Sequence, residues 1–231
     1  MPLLIPARFN GPTESGNGGY ASGAIAAYVG GSAAVSLRSP VPLDRPLEVK
    51  AEEGSARTLD GETLVAEAEA APDFQLDVPS PVGIEEAREA GSRYRGVHGG
   101  QFSRCFVCGL DRDDGLRLFA GEVPGRDLVA APWTPPEWVA DDAAQVRPEV
   151  VWGALDCPTY FAAYLREDLA VSFLGRMTAR IDSPVRAGIE HVVIAWPISA
   201  EGRKRLAGSA VLDADGKALA VAEVLLIEPR A

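Results

Sequence analysis

Asn17, Gly18 and Gly19 stand directly in front of Tyr20, Ala21, Ala24, Ile25, Tyr28 and Val29, whose spacing predicts a helix over Gly18–Gly31. A helix start offers unpaired backbone amides and the positive end of the helix dipole, and glycines let another group come close to them. That combination suits a developing oxyanion. Two plainer roles stay open: Asn17 as an ordinary cap, and the glycines (with Gly23, Gly30 and Gly31) as sites of tight packing. A second helical segment runs roughly over Glu149–Leu165 and contains "DCPTYFAAY". There Asp156 is either the cap of a fresh helix with Pro158 in its first turn, or a carboxylate on a running helix that Pro158 kinks.

Cys105 and Cys108 have metal-ligand spacing, but no second cysteine pair or histidine pair accompanies them, and His98 and His191 are the only histidines. The sequence therefore predicts no metal site. Cys157 has no histidine near it in sequence and reads as a small core residue rather than a nucleophile. Trp133, Trp138, Trp152, Tyr160 and Phe161 are core candidates, some of which could line an apolar pocket.

The elements that must position these residues follow from an internal repeat. "RSPVPLDRPLEV" from Arg38 and "RIDSPVRAGIEHV" from Arg180 both carry Ser-Pro-Val between strand-like segments. "LDGETLVAEAEA" from Leu59 resembles "DADGKALAVAEV" from Asp213, and their shared Asp-Gly is a hairpin signal. Superposing the two Asp-Gly pairs sets Leu64 on Leu219. Each half thus reads strand, helix, then three strands, and "GLRLFAGEV" with "DLVAAPW" reads as a hairpin opening the second half. The connector holds a short helix in "PSPVGIEEAREAG", with Ser80 as cap, Pro81 in the first turn and Gly91 at the stop.

With 231 residues and 47% hydrophobic residues, the chain can bury a sizeable core. A net charge of −11 without a basic stripe argues against nucleic acid. No apolar run reaches membrane-span length, and "MPLLIPARFNG" does not read as a signal peptide. Three cysteines are too few for a secreted disulfide framework, so a cytoplasmic location is expected.

"CFVCGLDRDDGLRL" from Cys105, together with the repeat, resembles the hot-dog thioesterase superfamily, in particular its phenylacetate-pathway branch. The resemblance implies an α+β double hot dog: two antiparallel sheets, each wrapped around a central helix, forming a pseudo-dimer. The implied units are 1–71 (abbreviated), a linker 72–103 with a short helix, and 104–231. The branch carries His-Gly-Gly at its helix start and an acid seven residues after the last glycine. In the first half Asn17 takes the histidine place and Ala26 the acid place. The second half starts Arg147-Pro148-Glu149 but keeps Asp156 at the acid position. "VHGG" at Val97–Gly100 spells the motif literally, yet no apolar helix follows it, so it reads as a connector loop.

The resemblance then implies one composite site for hydrolysis of an acyl-CoA or related thioester. Asp156 would be base or nucleophile, Gly18 and Gly19 would hold the oxyanion, Asn17 would assist and Thr159 would position water. No metal or tightly held cofactor is implied; coenzyme A would be part of the substrate. Further dimerisation of the fused pair is in keeping with the family. The rival readings are a non-catalytic acyl-CoA binding module and, ranked last, an enoyl-CoA hydratase.

Overall fold

The computed structural model describes residues 2–230. Its first half runs β1 (Leu3–Leu4), α1 (Gly18–Ala26), β2 (Ala33–Leu37), β3 (Pro46–Glu52), β4 (Ser55–Asp60) and β5 (Thr63–Ala70). A connector with α2 (Ile84–Gly91) leads to β6 (Gly121–Glu122), β7 (Val129–Trp133), α3 (Pro148–Ala163), β8 (Phe173–Ile181), β9 (His191–Glu201), β10 (Lys204–Leu212) and β11 (Ala218–Ile227). Each half therefore has four strands after its helix, one more than its sequence pattern suggests.

The expected two sheets are one. Eleven strands join in the order β1-β3-β4-β5-β2-β8-β11-β10-β9-β7-β6. The seam is an antiparallel pairing of β2 with β8, from Ala33 opposite Ala179 to Ser36 opposite Arg176. Without it each half would end in an unpaired strand edge, and the two edges satisfy one another.

Helices α1 and α3 share one core against this sheet. Gly19 and Gly23 make their close approach possible: a Cβ on Gly19 would lie 2.4 Å from the Asp156 Cβ, and one on Gly23 would lie 2.7 Å from the Glu149 Cα. Rising numbers in α1 meet falling numbers in α3, so the helices are antiparallel. The second half also has a smaller core on the opposite face of the sheet, where Val82, Ala87 and Ala90 of the connector cover Ile194, Trp196 and Ala210. That explains why "HVVIAWPI" is apolar without alternation. Val193 and Ala195 face the helices while Val192, Ile194 and Trp196 face the connector.

The two halves use the same backbone bonds. Asn17 N–H donates to Phe9 C=O (2.8 Å) as Arg147 N–H does to Val139 C=O (3.1 Å). Gly16 N–H reaches the carbonyl of Val41, and Val146 N–H that of Val185, each the valine of a Ser-Pro-Val. Both serines of that motif donate to the later hairpin, Ser39 to Val65 and Ser183 to Leu219. Leu219 thus corresponds to Val65, one residue from the match the Asp-Gly pairs give. Each is the extra residue of a register shift, between Thr58 and Leu59 in one hairpin and between Val211 and Leu212 in the other, and the loop from Leu212 to Ala218 is one residue longer than that from Leu59 to Leu64. In the connector, α2 begins after Gly83 rather than at Ser80–Pro81, and no side chain caps it.

Candidate active site

Asn17 is the N-cap of α1: its Oδ1 accepts the Tyr20 N–H at 2.9 Å. A helix leaves its first N–H groups without partners inside the helix, and α1 disposes of them in order. The Tyr20 amide goes to the cap, and the Gly19 amide goes to Asp156 Oδ2 across the helix seam at 2.8 Å. The Gly18 amide makes no hydrogen bond among the described residues, and Gly18 lines the large cavity.

Asp156 lies on the second helix, which runs unbroken through Pro158. The proline removes one N–H from the helix ladder. Hydroxyls serve the carbonyls beside the gap: Thr159 Oγ1 donates to Asp156 C=O at 2.6 Å and Ser209 Oγ to Leu155 C=O at 2.7 Å. Asp156 is therefore a mid-helix carboxylate, not a cap. Burial pushes its pKa up to about 7, against the lowering effect of the Gly19 N–H.

The cavity has a volume of about 1020 Å³, enough for a ligand of cofactor size. Asn17, Gly18, Asp156 and the three cysteines line one part of it, and Phe102, Tyr160, Phe173 and Leu174 give it apolar walls. The structure thus brings Asn17, Gly18, Gly19 and Asp156 together. It does not bring in Thr159, which is fully buried with its hydroxyl turned back to its own helix. The Gly19 amide is already taken by the carboxylate, so of the two glycines only Gly18 presents a free N–H.

A cluster that sequence spacing does not reveal sits beside this group. Cys157, from α3, closes on Cys105 and Cys108, and the three sulfurs lie within 4.8 Å of one another. Asn17 Nδ2 donates to the sulfurs of Cys105 (3.6 Å) and Cys157 (3.5 Å). The Cys105 thiol is drawn towards thiolate by hydrogen bonds from its cysteine neighbours and from the backbone of Cys108 and Val107. The one available signal was that Cys157 directly follows the proposed acid; its distance along the chain from the Cys-x-x-Cys hid the rest.

His98 pairs with Asp111, whose other oxygen accepts the Gly99 N–H at 2.7 Å, so "VHGG" shapes a loop. His191 lies in β9, its Nε2 against Arg186 C=O. At the start of α3, Pro148 lines a smaller cavity of about 260 Å³ with Asp141, Asp182 and Pro184.

A sheet of this topology laid around α1 and α3 defines the hot-dog fold. A full-length structural likeness agrees: a protein of unknown function with a hot-dog fold from Alicyclobacillus acidocaldarius is 10% identical, covering 98% of this chain and 92% of its own, at a TM-score of 0.57. The tesB protein MAP1729c of Mycobacterium avium subs paratuberculosis is 16% identical over 99% of this chain and 91% of its own, with a TM-score of 0.61. A candidate thioesterase from Novosphingobium aromaticivorans is 13% identical over 99% of this chain and 94% of its own, also at 0.61. No protein-family model and no curated protein matches the sequence. Among the described residues no helix is long and apolar enough to cross a membrane.

Proposed function

We propose that this chain is a double hot dog, with units 1–71 and 104–231 joined by the linker 72–103, and that it hydrolyses acyl-CoA or a related acyl thioester at one composite site. The observation that carries the reading is the buried Asp156 carboxylate from one half, held at 2.8 Å by the Gly19 amide of the other, beside the free Gly18 amide on a large cavity. The recurring backbone bonds of the two halves support the fused-repeat architecture. Full-length likeness to a candidate thioesterase supports the reaction class.

In this reading the acyl carbonyl oxygen rests on the Gly18 N–H at the positive end of α1. Asp156 takes a proton from water as the water oxygen bonds to the thioester carbon, and the oxyanion forms against that amide. When the carbon–sulfur bond breaks, the sulfur leaves as a thiol carrying the proton from Asp156, and the acyl group leaves as the acid. Gly19 acts by aiming the carboxylate, and Asn17 by fixing the helix start. The setting is the cytoplasm, and the fused pair can associate further into a homodimer.

A second reading, acyl-CoA binding without turnover, gains from the same contact, because the Gly19 amide is committed to Asp156 and only one free donor remains. Release of free thiol from a panel of acyl-CoAs, by the wild type and by Asp156→Asn, separates the two. Hydrolysis predicts turnover by the wild type and a loss of roughly 10²–10⁴-fold in the variant. Saturable binding with no turnover establishes the module, and turnover that survives the substitution removes Asp156 from the chemistry.

A further inference from the structure

Cys105 to Gly109 fold into a tight turn in which the Gly109 N–H returns to Cys105 C=O at 2.9 Å. A Cβ on Gly109 would lie 2.6 Å from the Cys105 backbone nitrogen and oxygen, so the turn in this form requires glycine. The turn sets the sulfurs of Cys105 and Cys108 side by side, and α3 supplies Cys157, whose sulfur is 3.6 Å from that of Cys105. Thiolates at a zinc–sulfur distance of about 2.3 Å around a tetrahedral ion stand ~3.8 Å apart. A disulfide would use only two of the three sulfurs and needs them at about 2.05 Å.

We propose that Cys105, Cys108 and Cys157 together bind one zinc ion, with the fourth coordination position turned towards the large cavity. This goes beyond the hydrolase reading and stands or falls separately from it. Three thiolates form a soft ligand set that suits zinc. The surroundings of the sulfurs fit as well. Asn17 is nearly fully buried, and its Nδ2 donates to two of the sulfurs. Three thiolates around a divalent ion keep a net negative charge, which such donors stabilise. Binding displaces the thiol protons to solvent. The ion would tie the Cys105–Gly109 turn to α3 beside Asp156 and, through Asn17, to the start of α1.

The test uses the full chain purified without a metal-affinity tag. Elemental analysis is expected to find one zinc per chain. After chelator stripping, titration with cobalt(II) is expected to give thiolate-to-cobalt charge-transfer absorption and the visible bands of a tetrahedral ion, saturating at one equivalent. Cys108→Ser and Cys157→Ser should each abolish stoichiometric binding. Asn17→Ala should keep the stoichiometry and weaken affinity by roughly 10–100-fold. No charge-transfer band from the wild type at one equivalent overturns the proposal, whether or not a variant folds. So does a thiol count on the denatured, unreduced chain that shows two of the three cysteines oxidised. Because the readout is metal rather than hydrolysis, failure of the Asp156 assignment leaves it intact.

Discussion

At the start of α1 the first helical residue is Gly18, with a free N–H on a cavity of about 1020 Å³; at the start of α3 it is Pro148, with no N–H, on one of about 260 Å³. The Asn17 cap binds the Tyr20 amide, whereas Arg147 makes no side-chain cap bond and pairs instead with Glu149 at 3.2 Å. Seven residues on from Gly19 stands Ala26; seven on from Glu149 stands Asp156. The backbone bonds leading into the two helices are nevertheless the same. One scaffold can keep both helix starts while side chains and the loss of a single amide leave only one of them with a free N–H at a large cavity.

The largest test of that contrast is on rate. Asp156→Asn keeps an acceptor for the Gly19 N–H and is expected to lower kcat by roughly 10²–10⁴-fold. Glu149→Gln at the other end should leave kcat within about twofold in the same free-thiol assay, because Glu149 does not line the large cavity. Next in size is Gly19→Ala, whose new methyl group would lie 2.5 Å from Trp152 C=O. It should cost about 1–3 kcal/mol, read as a drop in Tm of several degrees. The caps differ by less: Asn17→Ala should cost ~1 kcal/mol in denaturant unfolding, against under about 0.5 kcal/mol for Arg147→Ala. Of the same order as the Asn17 cap is Thr159→Val, which removes the bond to Asp156 C=O. It should cost about 0.5–1.5 kcal/mol and leave kcat unchanged; a fall in kcat would return Thr159 to the site.

What could be read in the sequence was local. Asp-Gly, Ser-Pro-Val and the small residues before Tyr20 each fix a turn or a helix start through backbone preference, and these gave the start of α1 and the order of elements short of one strand in each half. The one-residue offset of Val65 against Leu219 was hidden because the loop from Leu212 to Ala218 is one residue longer than that from Leu59 to Leu64, while both carry the same Asp-Gly. The single sheet was hidden because β2 and β8 meet edge to edge, and pairing of exposed edges leaves no periodicity to read. The meeting of Cys157 with Cys105 and Cys108 depends on how α3 lies against a distant turn. The commitment of the Gly19 amide to Asp156 likewise depends on the helix seam, although Gly19 was legible as a point of close approach.

The pairing of Ser36 with Arg176 also sets a timetable for synthesis. As the chain leaves the ribosome, β2 can pair with β5 soon after it is made, but its other edge waits for β8, which comes after the connector, two further strands and all of α3. Contacts so far apart in sequence are slow to close, and an open strand edge invites the wrong neighbour in the meantime. The seam that completes the sheet is therefore also the step at which a nascent chain is most exposed to mispairing with a second copy.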